Sequence, residues 1–344
     1  MVLARACIGF LAVAAASAQS ILPPFDSAYQ ILNLGPIPSV GNYGGTAFLP
    51  SNPNVLLVAP YLGGSVRSVP LVRSPQGAIT GFGASSPYAT LGGTDGGLCF
   101  GPTGVLFATW YPANALRQLK PGSVTADRID NLLPLGVPNS VGTCAFVPAG
   151  FPGAGRFKVV AWNTSTIQEL PLTPDGTGTF NPGIAGAGIQ LTGGPEGMVY
   201  VPLSAPLIGG KLLIAEWGAG TLAAYDLDAN GDPLPATRAV VAGGAPGFGG
   251  GAVDPVTGDI VFLSGTGGLR SSSATAAPAA RTRSTAPPGP ARSARRAAAA
   301  RAARASARRS RSARPARRSA SASSPPASRP TCRTSTSPCC RAPA

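Results

Sequence analysis

The chain is 344 residues long and carries 27 Lys and Arg against 13 Asp and Glu, a formal net charge of +14, with no His. Without His there is no Ser-His-Asp or Cys-His nucleophilic system and no His-ligated zinc or haem, which leaves carboxylate chemistry, with or without a hard cation. Nor is the charge a nucleic-acid signature: sixteen of the bases are arginines beyond residue 270 and all 13 acids precede it, so residues 1–270 hold 27 − 16 = 11 bases against 13 acids, a net charge of −2.

Met1–Ala18 reads as a secretory signal peptide. Arg5 supplies the positive n-region, Ile8–Ala16 is an apolar core too short to span a bilayer, and Ala16-Ser17-Ala18 is a small-x-small cleavage pattern. The expected location is therefore extracytoplasmic, secreted or periplasmic, as a monomer with no membrane span. The next apolar run, Tyr29–Leu34, is a candidate strand.

From residue 44 onward the chain repeats itself. Five segments open with small residues, continue as an apolar strand and reach Pro two residues after an anchor: Phe48, Phe100, Phe146, Tyr200 and Val253, separated by 52, 46, 54 and 53 residues. Each is followed by a second apolar run, Val55–Val58, Val105–Ala108, Phe157–Val160, Leu212–Ala215 and Ile260–Leu263, the pattern of a strand buried on both faces. A third strand alternates more, as in Thr221–Leu227, and a less regular fourth follows, as in Ala236–Val241; Gly-, Asp- and Pro-rich turns separate them. A four-stranded unit with two apolar faces needs neighbours on both sides, which a ring of blades supplies.

The last unit stops after its second strand, near Gly268, with Tyr29–Leu34 available as its outermost strand. Beyond it, Ser271–Ala344 contains only Ser, Ala, Thr, Pro, Arg, Gly and Cys. Such a segment cannot bury enough apolar surface to order itself. Its residue types are those of GC-rich codons, as a shifted reading frame would produce. The expected fold is all-β: a β-propeller of about five four-stranded blades, a sixth left open, with the last blade incomplete. The expected domains are the signal peptide 1–18, the propeller 19–268 and a disordered tail 269–344.

Gly251-Ala252-Val253-Asp254-Pro255-Val256-Thr257-Gly258-Asp259-Ile260-Val261-Phe262 resembles the repeat of NHL-type propellers, and Gly194-Pro195-Glu196-Gly197-Met198-Val199-Tyr200 resembles the inner-strand start of the SMP-30/gluconolactonase group. The first resemblance implies a binding module; the second implies a metal-dependent hydrolase with an oxygen-ligand cluster on the ring axis.

Four sets of residues are candidates for function. Asp95 and Glu196 open their inner strands at positions equivalent to within one residue, with Asn42 nearby in its own unit; repeat symmetry places them at the channel mouth, as oxygen ligands for Ca²⁺ or as turn caps. Asp226, Asp228, Asn230 and Asp232 match the first half of a calcium loop, but Thr237 stands where the bidentate Glu belongs, so a β-turn explains the same residues. Trp110, Trp162 and Trp217 follow the second strands of units two to four, with Tyr111 beside the first; they either pack between blades or present an aromatic face to a glycan or peptide. Finally, strand alternation points Cys99 and Cys144 to opposite faces, which argues against a disulfide. No catalytic residue is assigned and no cofactor is expected beyond Ca²⁺. The reading is a non-enzymatic exported binding propeller, with a Ca²⁺-dependent lactonase or esterase as the alternative.

Overall fold

The computed structural model describes residues 19–94, 97–244 and 247–264, and residues 268–274 through their backbone. The signal-peptide segment, Asp95 and everything from residue 275 onward lie outside the described residues.

Five antiparallel sheets form a ring. Blade I is built from Tyr43–Leu49, Asn52–Pro60, Ser65–Arg73 and Ser86–Thr90, with Ile79–Phe82 as an added strand; blade II from Leu98–Phe100, Leu106–Trp110, Ala115–Leu119 and Arg128–Asn131. Blade III holds Val141–Phe146, Phe157–Ala161, Thr166–Glu169 and Ile189–Gln190, with a hairpin Leu172–Pro174/Phe180–Pro182 on its outer side of the sequence. Blade IV holds Pro195–Tyr200, Leu212–Glu216, Thr221–Tyr225 and Ala239–Gly243, with Ser20–Ile21 paired to its edge. The inner strands touch in the cyclic order I–II–III–IV–V–I, so the ring closes with five blades and no sixth. Among the described residues there are short 3₁₀ turns but no α-helix. No helix there is long and apolar enough to cross a membrane.

The period of two along each second strand explains the closure. Leu57 and Ala59 face blade II while Leu56 and Val58 face blade V; Leu213 and Ala215 face blade V while Leu212 and Ile214 face blade III. Every second strand is buried on both faces because each face meets a different neighbour, giving five apolar layers instead of one central core. Each fully buried Leu or Val in such a layer contributes about 1.5–3 kcal/mol. Near the axis the backbones are so close that a Cβ on Gly45 would lie 2.7 Å from the Gly97 carbonyl carbon, and one on Gly197 would run into the backbone of Gly249. The small-residue starts of the repeat are thus a packing requirement of the axis.

Blade V corrects two expectations. It is complete: Phe248–Val253, Ile260–Ser264, Gly268–Ala274 and Tyr29–Asn33 form a four-stranded sheet. Gly268–Ala274 pairs with Ile260–Ser264 on one side and with Tyr29–Asn33 on the other. The missing third strand is supplied by the start of the Ser-rich region, so the sheet runs to Ala274, past the expected boundary at residue 268. Ladder hydrogen bonds come from backbone N–H and C=O groups, so a run without large apolar side chains can still provide them. The N-terminal strand closes this blade as expected.

Cys99 and Cys144 are also corrected. Their Sγ atoms lie 3.2 Å apart. They do occupy opposite faces of their own sheets, but in a ring the opposite faces of adjacent blades are the ones that meet, here between blades II and III. Burial, and then the neighbouring Cys144 thiol, push the Cys99 thiol well above the usual range.

Candidate functional site

The strand register defines the site. The anchors Phe48, Phe100, Phe146, Tyr200 and Val253 pair respectively with Leu56, Leu106, Phe157, Leu212 and Ile260. Counting from those pairs, Pro60, Trp110, Ala161, Glu216 and Ser264 are equivalent, and the next residue is Tyr61, Tyr111, Trp162 and Trp217 in blades I to IV. Its fifth counterpart, Gly265, lies outside the described residues. The position is structural as well as sequential: its N–H donates to the carbonyl of the residue leading into the inner strand, Tyr61 to Asn42 (2.7 Å), Trp162 to Ser140 (2.8 Å) and Trp217 to Gly194 (2.9 Å).

These four aromatic residues line one cavity of about 320 Å³ together with Tyr43, Gly44, Ser140, Asn163, Glu196 and Gly249. All five blades contribute, which puts the cavity on the ring axis, at the end where the inner strands begin. Tyr61 and Tyr111 stack at 6.3 Å with their planes 13° apart. Trp162 is 38% exposed and rests against the backbone of Gly194, where a Cβ would lie 2.8 Å from its Nε1. Gly194 also has φ +67°, so a side chain there is disfavoured twice. The Tyr43 hydroxyl accepts the Ile37 N–H (2.8 Å), which fixes that ring at the cavity wall.

Glu196 is the cavity's carboxylate and is 8% exposed. Its repeat equivalents are Gly44, Gly142 and Gly249, so among these described positions a side chain enters the axis from blade IV alone. A Cβ on Gly142 would lie 3.1 Å from Glu196 Oε2; the glycine in blade III leaves the space that the carboxylate uses.

The aromatic expectation changes register by one residue. Trp162, Trp217 and Tyr111 do line the cavity, but Trp110 does not: it is the strand's last residue and its ring turns away. The Arg117 guanidinium sits 3.5 Å from the centre of the Trp110 ring. Arg117 also donates to the carbonyls of Gly93 (2.7 Å) and Gly92 (3.3 Å). Burial lowers the Arg117 pKa to about 10. Tyr61, which the sequence reading missed, takes the place assigned to Trp110; the signal was its position one residue after the second strand, obscured because a Tyr stands there instead of Trp.

The oxygen-rich candidates are dispersed. Asn42 is exposed at the start of blade I, Glu196 is in the cavity, and Asp95 lies outside the described residues. In the 226–232 loop the carboxylates turn to separate partners: Asp226 to Lys211, Asp232 to the buried Lys158 (2.7 Å), and Asp228 to the backbone N–H groups of Asn230 (2.8 Å) and Asp232 (2.9 Å). Burial opposes the charge on Asp228, but those amides outweigh it and hold its pKa below the usual range. Asn230 adds a side-chain bond to Asp228 (3.2 Å), completing the turn. Among the described residues no three His, Cys, Asp or Glu side chains gather closely enough to share an ion.

No family model matches the sequence, and no curated protein does. Solved β-propellers are similar in fold. An auxiliary nutrient binding protein from Bacteroides ovatus is 11% identical with a TM-score of 0.43, over 72% of this chain and 77% of that one. The PQQ domain of pyranose dehydrogenase from Coprinopsis cinerea is 10% identical with a TM-score of 0.43, over 75% and 97%. The periplasmic gluconolactonase of Pseudomonas aeruginosa is 14% identical with a TM-score of 0.38, over 58% and 54%. At these values the likenesses carry no argument about ligand or reaction. The closed ring itself makes the chain a β-propeller.

Proposed function

We propose that the protein is an exported, non-enzymatic β-propeller that binds a small ligand in its axial cavity. The observation that carries this reading is the convergence of Tyr61, Tyr111, Trp162 and Trp217, one repeat position in four blades, on a single cavity. Four large aromatic rings around an opening are costly to leave in water and are the usual lining of small-molecule sites. The export part of the reading rests on the Arg5, Ile8–Ala16 and Ala16-Ser17-Ala18 pattern.

The test is a thermal-shift and tryptophan-emission screen of the full chain against sugars, amines, amino acids and carboxylates, run beside a lactone and ester hydrolysis assay with and without Ca²⁺. A ligand that raises Tm in the wild type and has no effect on a Trp162→Ala/Trp217→Ala variant is the expected result. Binding that survives this double substitution would remove the cavity from the account. Turnover of a lactone that requires Ca²⁺ and is lost in Glu196→Gln would replace it with the hydrolase alternative.

A further inference from the structure

We propose that the axial cavity is an aromatic cage for a quaternary or fully methylated ammonium group, with Glu196 supplying the opposite charge. This deepens the ligand-binding reading and rests on it.

The wall chemistry selects the charge sign. Five aromatic rings line the cavity, Tyr43, Tyr61, Tyr111, Trp162 and Trp217. The face of each ring carries negative quadrupole potential, and a cation within about 6 Å of a ring centre is attracted by it. Glu196 adds a formal negative charge at low exposure, where Coulomb attraction is less damped by water. No Lys or Arg lines the cavity. The guanidinium closest in sequence to this wall, Arg117, is engaged by Trp110 and the carbonyls of Gly92 and Gly93. An anionic ligand would meet repulsion and no counter-charge.

The polar inventory selects the kind of cation. A primary ammonium brings three N–H donors and a tightly held hydration shell, and a sugar brings several hydroxyls, each needing a partner once water is excluded. Besides the tyrosine hydroxyls, the lining offers Glu196, Ser140 and Asn163 for such bonds. A trimethylammonium group has no N–H to satisfy and spreads its charge over methyl groups that pack on ring faces. The volume, about 320 Å³, lies at the small end of small-molecule sites, where a compact head group fits better than an oligosaccharide.

The probes are choline, its uncharged carbon isostere 3,3-dimethylbutan-1-ol, and trimethyllysine amide, each titrated calorimetrically into the full chain with tryptophan emission followed in parallel. Choline is expected to bind at least about tenfold more tightly than the isostere, the ratio that a cation–π and carboxylate contribution of this kind supplies. Glu196→Gln is expected to erase most of that ratio while leaving the isostere's affinity unchanged, and Tyr111→Leu is expected to weaken choline without touching the carboxylate. Binding of choline over trimethyllysine amide would mark a free small cation as the source of the head group, and the reverse order a modified side chain. Equal affinity for choline and the isostere would overturn the proposal while keeping the cavity as an apolar site. A sugar that shifts the emission of Trp162 and Trp217 while choline does not would overturn it and leave the ligand-binding reading standing. If no compound of any class binds the folded chain, both fall.

Discussion

The Arg73 guanidinium lies fork to fork on the carboxylate of Asp254, with Nη1–Oδ2 at 2.6 Å and Nη2–Oδ1 at 2.9 Å, and so bolts blade I to blade V across the point where the ring closes. Asp254 is fully buried. It also accepts the Val256 N–H (3.0 Å) and the Thr257 hydroxyl (3.0 Å), so the Asp of the Gly-apolar-apolar-Asp-Pro pattern both shapes its own turn and holds the neighbouring blade. Arg73 is further engaged by Asn54 and the carbonyls of Pro53 and Gly77. Removing one member of a buried pair strands the other charge, at a cost of about 3–5 kcal/mol. Asp254→Ala is expected to lower the urea midpoint by an amount on that scale. An unchanged midpoint would mean that closure depends on the backbone pairing of Tyr29–Asn33 alone.

Comparable bonds cross other boundaries. Gln118 Nε2 donates to the Phe180 carbonyl (2.7 Å) and its Oε1 accepts the Phe180 N–H (2.8 Å), joining blade II to the hairpin of blade III. Buried Lys158 of blade III reaches Asp232 of blade IV (2.7 Å) as well as Glu169 of its own sheet (3.2 Å).

Blade IV contains an acid-sensitive group. Glu216 is fully buried and is held by Arg238 Nε (2.7 Å) and Nη2 (2.5 Å), Tyr225 Oη (2.7 Å) and Thr221 Oγ1 (2.5 Å). Burial raises its pKa, but the bonds from Arg238, Thr221 and Tyr225 more than offset that, and the net shift is downward. A carboxyl depressed in the folded state stabilises it above the unfolded pKa, about 4.3, and that stability is lost as pH falls through the folded value. Tm is therefore expected to decline below about pH 4.3. Glu169 and Asp228 are depressed too and share in the decline. Glu216→Gln isolates its part: the variant should have a lower Tm at neutral pH and a shallower acid limb. Parallel limbs in the two proteins would remove Glu216 from the effect.

The Cys99 and Cys144 thiols touch across the boundary between blades II and III. A raised pKa keeps Cys99 a poor nucleophile, so both thiols are expected to react slowly with iodoacetamide in the folded protein and readily in urea. Under air with a trace of copper, the sulfurs are close enough to couple, each thiol losing a proton and an electron to oxygen. Peptide mapping should then find Cys99 linked to Cys144, and the linked form should unfold at higher urea than Cys99→Ser. Linkage of either residue mainly to Cys332, Cys339 or Cys340 would contradict the packing.

The ring was readable before the structure because its cause is periodic: anchors from Phe48 to Val253 recur at a blade's length, and second strands such as Leu212–Ala215 are apolar at every position. What was obscured depends on single-residue register or on backbone alone. Trp110 and Trp162 look equivalent by residue type, yet the pairing of Phe100 with Leu106 and of Phe146 with Phe157 sets them one residue apart, which turns them to opposite sides. Gly268–Ala274 carries no apolar pattern, so nothing in its side chains announces a strand that its backbone forms. The Cys pair was misjudged because faces were compared within a sheet when contact in a ring is between sheets.

That one-residue offset gives a direct contrast between two tryptophans. Trp110 stacks on buried Arg117, and Trp162 stands 38% exposed at the cavity. Trp110→Ala removes a desolvated cation–π contact worth up to about 2 kcal/mol along with its packing, so it should lower Tm and leave choline affinity near the wild-type value. Trp162→Ala deletes a wall of the cage at little cost to packing, so it should keep Tm within a degree or two and weaken choline several-fold. Iodide should quench Trp162 emission efficiently and Trp110 emission poorly, and choline should protect the first without affecting the second. If Trp110→Ala weakened choline as much as Trp162→Ala did, the cage would have to extend past the strand end to the Trp110–Arg117 stack, and the assignment of Tyr61, Tyr111, Trp162 and Trp217 as its walls would fail.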